Sequence, residues 1–223
     1  MIVVIGQPLY RLTEDAPAAD GLAARVALSA AARGRLVQLV GKAGEDPEGD
    51  AVVLALARGG VGHVAFLRDA GMSTPRAPEL VDGDPIAPDD RGHLARDPQV
   101  APAAPASNRS ILDAADVELA LRYLTTFSVL VLGEPADSDM LRVVGAAAGW
   151  ADPRLIVVLP AGAPVPDGLP PDAVVFEAPD ADPDGVFAAM VGSFAAALDE
   201  GDDAAVAFRS TVEAGGWMPT PAD

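Results

Sequence analysis

The chain has 223 residues, half of them apolar, which excludes disorder as a whole and is enough for one α/β core. It has no cysteine, which excludes disulfides, thiolate metal sites and a thiol nucleophile, and only two histidines, His63 and His93, which argues against a histidine-rich metal site. A formal charge of −18 argues against nucleic acid and anionic membranes as partners, because both are gripped by positive surface.

Residues 2–5 are a short β-branched run ending at Gly6 and read as a first buried strand. Residues 20–32 are helical in character, with Leu22, Val26 and Leu28 among alanines, and Arg33-Gly34 closes that helix. Residues 36–40 give a second strand. Asp46-Pro47-Glu48 then marks a helix start, because Asp caps, Pro fits the first helical position and Glu suits the first turn. This helix is expected to reach Arg58 and stop at Gly59-Gly60, with a third strand near residues 63–67. Residues 69–108 are rich in Pro, Gly and Asp and include the low-complexity APAAPA of 101–106, so they are expected to form a lid-like or flexible excursion. Order resumes with a helix over 115–123, a strand over 128–132, a helix over 138–148 and a strand over 155–159. A proline-rich loop (160–171), a short strand (173–176) and two apolar helices (185–198 and 203–212) complete the chain.

Strands alternating with helices predict an α/β fold, a doubly wound and mainly parallel sheet with helices on both faces. The strands are continuous apolar runs, as expected where both faces are covered. Aromatics make up only 4% of the chain, so its core must be built from Ala, Val and Leu. The longest uncharged stretch, 185–198, is too short for a bilayer core of about 30 Å. MIVVIGQPL has neither a basic region nor a cleavage site, so the expected location is the cytoplasm.

The stretch LVQLVGKAGEDPEGDAVVLALARGGV (36–61) resembles the segment of the ribokinase (PfkB-type) sugar kinases in which a strand runs into G-x-x-G-x-D-x-x-G and then a helix. Here those positions are Gly41, Gly44, Asp46 and Gly49. The upstream GLAARVALSAAARG is similar to the family's N-terminal helix. LIVVLPAGAPVPDGLPPDAVVFEAPDAD (155–182) and GSFAAALDEGDDAAVAF (192–208) resemble later elements of the same family. The resemblance implies a single ribokinase-like domain over 1–223, with 69–108 standing where the family's β lid continues.

It also implies catalytic parts that this sequence lacks. The family's Gly-Ala-Gly-Asp turn opens a helix whose amides hold developing negative charge and whose Asp takes the proton from the sugar hydroxyl. Aligned through the last helices, that motif falls on residues 182–188, and the base position is Ala188; aligned instead through the family's P-N-E region, those residues belong to an earlier element and the segment carrying the turn is deleted. The family's Gly-Gly and Asn near the sugar correspond to Asp20-Gly21 and Arg25, so a neutral hydrogen-bonding side chain has become a long cation that fills the pocket or favours an anionic group. The metal-associated Asn-Glu pair is absent, and the early acidic residue that grips the sugar has no clear equivalent, with Glu14 and Asp15 misplaced. The chain is also shorter than a typical member, with the shortage expected in the nucleotide-binding half.

The candidate ligand residues are therefore Gly21, Arg25, Gly41, Lys42, Gly44 and Asp46. Lys42, the only lysine, could meet a phosphate, although the simpler expectation is a solvated residue at a strand end. No catalytic residue is recognised, with Asp182 and Asp184 as the alternatives for a relocated base. Asp180, Asp182 and Asp184 also resemble the start of a calcium loop, but the closing glutamate is replaced by Val191, so they are expected to form an acidic helix start and no metal site. The histidines are expected at the surface. The apolar face of 186–198 is expected to be core or the interface of a homodimer.

Three functions are open on these grounds. The first is a catalytically degenerate kinase homologue that binds or regulates through a small sugar-like or phosphorylated ligand. The second is an active sugar or nucleoside kinase using ATP and Mg²⁺ with a relocated base. The third is a structural subunit pairing with a complete kinase.

Overall fold

The computed structural model describes residues 1–14, 16–78, 80–81, 84–85, 108–133 and 138–214. In chain order these form β1 (Ile2–Ile5), β2 (Leu9–Leu12), β3 (Pro17–Asp20), α1 (Leu22–Ala32), β4 (Val37–Gly44), α2 (Pro47–Arg58), β5 (Val61–Gly62), β6 (Phe66–Asp69), β7 (Leu80–Val81), β8 (Asp84–Pro85), α3 (Ala114–Leu121), β9 (Val129–Leu132), α4 (Ser138–Ala151), β10 (Arg154–Leu159), β11 (Val174–Glu177), α5 (Val186–Glu200) and α6 (Ala204–Ala214).

Seven strands make one sheet in the order β11-β10-β9-β1-β4-β5, with β6 extending the last pairing by lying along the C-terminal half of β4. Every pair in it is parallel. The chain builds outward from β1 through β4 to β5 and β6, then returns to lay β9, β10 and β11 on the other side of β1. The switch lies between β1 and β9, so the crevice at the carboxyl ends of these central strands is where a fold of this kind holds ligands.

Alternate strand residues point to opposite faces. Ile2, Val4, Val37, Leu39, Val129, Val131, Ile156 and Val158 pack with α1, α2 and α5 on one face. Val3, Ile5, Val40, Leu130, Leu132, Leu155 and Val157 pack with α3 and α4 on the other. Both faces are covered, which is why these strands read as unbroken apolar runs. Burying each such Val, Leu or Ile contributes roughly 1.5–3 kcal/mol. The face of α5 carrying Phe187, Val191, Phe194 and Ala195 is buried core, leaving that side of the helix no surface for a second copy.

Three expectations need correction. The stretch before α1 carries an antiparallel hairpin, β2 with β3, joining Leu9 to Asp20, and Asp20 is the last residue of β3 rather than the start of the helix. The third strand is split into β5 and β6. The second strand does not stop at Val40: β4 continues through Gly41, Lys42 and Ala43 to Gly44, because those residues pair with Phe66–Asp69. Much of the 69–108 excursion lies outside the described residues. The parts described run close to the hairpin and to each other: Tyr10 and Arg76 form a bridge, as do Ser73 and Arg109.

Candidate functional site

The hairpin, the start of α1 and the start of α5 meet through a chain of charges. Asp20, at the end of β3, is 4% exposed, and its carboxylate accepts hydrogen bonds from the Nε of Arg11 and of Arg25. Burial disfavours its ionised form. The two guanidinium groups and the Gly21 amide more than offset that and hold the pKa of Asp20 below the ordinary carboxylate value. Gly21 follows as the cap of α1 with φ +86°, and a Cβ there would lie 3.0 Å from the Gln7 carbonyl oxygen. Glycine is required on both counts.

Arg25 extends from α1 to the loop before α5. Its Nη1 donates to the carbonyl oxygens of Asp182 and, at 3.2 Å, Pro183. Asp182 in turn turns its carboxylate back on α5: one oxygen accepts the Phe187 amide at 3.1 Å and the other the Ala188 amide at 3.0 Å. The free N–H groups of a helix start are an anion site, and here the anion is the protein's own. Gly185, the cap of α5, sits in the left-handed region at φ 70° and ψ 20°, which lets the loop fold Asp182 over the helix end. Asp180 and Asp184 are exposed.

A second group gathers at the carboxyl end of β4. Gly41 abuts Pro8, with a Cβ there falling 2.9 Å from the proline Cδ. The Lys42 ammonium lies 2.9 Å from Asp116 of α3 and 3.5 Å from Asp69 of β6. Partial burial disfavours the charged amine, but Asp116 and Asp69 outweigh it and raise the Lys42 pKa above its ordinary value. Lys42 is thus a partly buried, ion-paired residue rather than a freely solvated strand end. Its carbonyl accepts the Gln7 side-chain amide at 2.6 Å, and the Gln7 side-chain oxygen accepts the Leu112 amide at 2.8 Å, which stitches β1, β4 and the approach to α3 together.

Gly44 and Asp46 serve the framework. A Cβ on Gly44 would lie 2.3 Å from the Met72 carbonyl oxygen. Asp46 caps α2 through the Gly49 amide at 2.7 Å and also accepts the Thr74 hydroxyl at 2.6 Å and amide at 2.8 Å. Burial works against the Asp46 carboxylate, and these hydrogen bonds with nearby Arg68 overcome it, leaving the pKa below the ordinary value.

The structure therefore brings Gly21 and Arg25 together, and separately Gly41, Lys42 and Gly44 with Asp46. Sequence reasoning missed Arg11, Gln7, Thr74 and Asp116. It also missed that Asp20 is the buried carboxylate of the region; the Asp-Gly pair immediately before an apolar helix was the available signal. Of the histidines, His63 is exposed and His93 lies outside the described residues. Among the described residues no group of three or more His, Asp or Glu is placed to hold a metal ion, and no helix is long and apolar enough to cross a membrane.

No family model matches the sequence, and no curated protein matches it. Solved structures do match in fold. The apo form of an E. coli protein classed as a ribokinase II aligns over 96% of this chain and 91% of its own, at 14% identity and a TM-score of 0.66. The Arabidopsis thaliana ribokinase complexed with ribose and ATP aligns over 96% of this chain and 90% of its own, at 16% identity and 0.63. The aminoimidazole riboside kinase of Salmonella enterica aligns over 100% and 94%, at 16% identity and 0.51. The crevice described above thus stands on a known scaffold: the chain has the fold of the ribokinase (PfkB-type) sugar kinases.

Proposed function

We propose that the chain is a single-unit, ribokinase-fold binding or regulatory protein for a small sugar-like or phosphorylated ligand, and that it does not transfer phosphate. The observation that carries this reading is the Asp182 carboxylate on the Phe187 and Ala188 amides. Phosphoryl transfer by a helix start requires those amides for the transferring group and a base beside it. Here the amides are taken, and the residue at the base position is Ala188.

The surrounding residues support the same reading. Arg25 is held by Asp20, which Arg11 shares, and by the carbonyl oxygens of Asp182 and Pro183, while Lys42 is held by Asp116 and Asp69, so both cations are already positioned by protein groups. As arranged, this donor set does not fit ATP with Mg²⁺. Gly21, Arg25, Gly41 and Lys42 remain the proposed ligand contacts, whereas Gly44 and Asp46 shape the framework beneath them.

The test is a thermal-shift screen of the purified chain against Mg²⁺-ATP, Mg²⁺-ADP, and a panel of sugars, sugar phosphates and nucleosides. A ligand that binds only the folded state raises the melting temperature by mass action. A shift with a sugar-like or phosphorylated compound, none with nucleotide, and no phosphorylated product is the expected result. ATP-dependent phosphorylation of any sugar or nucleoside, lost in Asp182→Asn or Asp184→Asn, would establish an active kinase with a relocated base instead. No shift with any compound would leave the reading without a ligand and favour a structural subunit.

A further inference from the structure

We propose that the groove bounded by β11, α5 and α6 binds a small organic cation with an aromatic or aliphatic body. It does not rest on the function proposed above. The cavity measures about 990 Å³, at the upper end of the range of small-molecule sites. Its apolar walls are Phe176 of β11, Phe187 and Met190 of α5, and Phe208 and Val212 of α6. Phe176 stacks on Phe208 with ring centres 6.2 Å apart and planes 25° from parallel, and meets Phe194 edge-on at 5.3 Å. This packing fixes the ring positions, yet Phe208 is 46% exposed. β11 is the last strand on its side of the sheet, so the groove lies at a sheet edge.

The charges choose the ligand. Among the described residues, the only ionisable ones lining the groove are Glu177 and Asp180, and no described Lys, Arg or His lines it. Glu177 is held in place by the Gly162 amide, which donates to its carboxylate at 2.7 Å. An anion entering here, a nucleotide included, would meet two carboxylates and, among the described residues, no cation, in a chain of net charge −18. A cation meets both carboxylates, and a half-exposed ring offers it the negative face of its π system. The apolar body of such a ligand covers the Phe and Met surface that water otherwise contacts.

Titration of the full chain by calorimetry with three probes sharing one ring tests this: benzyltrimethylammonium, benzyl alcohol and benzenesulfonate, at physiological salt. Benzyltrimethylammonium is expected to bind best and benzenesulfonate worst. Asp180→Asn, and the double variant with Glu177→Gln, should weaken the cation about fivefold, the size of one exposed ion pair, without changing benzyl alcohol. Phe208→Ala should weaken both. Far-ultraviolet circular dichroism melts on each variant establish that it is folded, and Asp180→Asn alone leaves the Gly162 contact intact. No binding of the cation, equal binding of the sulfonate, or a cation affinity indifferent to both carboxylate changes would each overturn the proposal. The last outcome would assign the attraction to the acidic surface as a whole.

Discussion

Helices α2 and α5 both start beneath an aspartate carboxylate, and the two starts are built differently. At α2 the aspartate is the cap itself: Asp46 is extended, at φ −134° and ψ 168°, and reaches the amide of Gly49 three residues on. The same carboxylate binds both the hydroxyl and the amide of Thr74, while Gly44 and Gly49 bring backbone within a distance that admits no side chain. At α5 the cap is Gly185, and Asp182 reaches over it from the loop. That loop is secured from a distance by Arg25, whose guanidinium also pairs with Asp20. The first start is closed by backbone packing. At the second, an incoming anion has one side chain to displace and no backbone to rebuild. The same physics of a helix N-terminus thus makes a joint closed by backbone packing in one place and a helix start covered by a loop carboxylate in the other.

The largest expected contrast comes from adding a methyl group at each start. Gly44→Ala places a Cβ 2.3 Å from a backbone carbonyl and should cost about 3 kcal/mol. Gly185→Ala meets only the flexible end of Arg25, at 3.2 Å, and should cost about 1–2 kcal/mol for its left-handed conformation. Urea denaturation of the two variants measures both, and equal losses would break the distinction between a packed and a covered start.

Removing the carboxylates is the next largest effect. Asp46→Ala deletes a cap and strands the Thr74 amide, for about 2 kcal/mol, whereas Asp182→Ala should cost about 1 kcal/mol. Asp182→Ala should also gain affinity for inorganic phosphate, measured by calorimetry, and Asp46→Ala should not.

Acid gives the smallest and sharpest contrast. Burial raises the Asp46 pKa but its hydrogen bonds lower it further, so the net folded-state value lies below the ordinary 3.8. Its stabilisation is then complete above that pH and is lost as pH falls through the folded value. Asp20 shares the sign for the same reason, with Arg25 and Arg11 outweighing burial. Wild-type stability, followed by urea midpoint, should fall from about pH 4 downward. Asp46→Asn should show a shallower fall, and an unchanged slope would remove Asp46 from the acid response.

The parts of the fold legible in the sequence are those set by neighbours a few residues apart. The Asp46-Pro47-Glu48 start of α2, the Gly59-Gly60 stop and the buried runs at Ile2–Ile5 and Val129–Leu132 all stand where local pattern puts them. The β2–β3 hairpin was not legible, because LYRL and PAAD are short, partly exposed and interrupted by a proline. Nor was the extension of β4 through Gly-Lys-Ala-Gly, since glycines argue against a strand until β6 lies alongside.

The candidate site divides in the same way. The sequence by itself determined an α/β chain with both sheet faces covered, and marked Gly41 and Gly44 as points where the backbone turns tightly. Only the tertiary structure decided what the charges do. Lys42 finds the Asp116 carboxylate at a separation of 74 residues, and Arg25 finds the Asp182 backbone carbonyl at 157. Caps and periodic apolar faces depend on backbone geometry within a turn or a strand, which residue order carries directly. Ion pairs and side-chain hydrogen bonds between distant segments depend on which strands become neighbours, and that is fixed only when the sheet has formed.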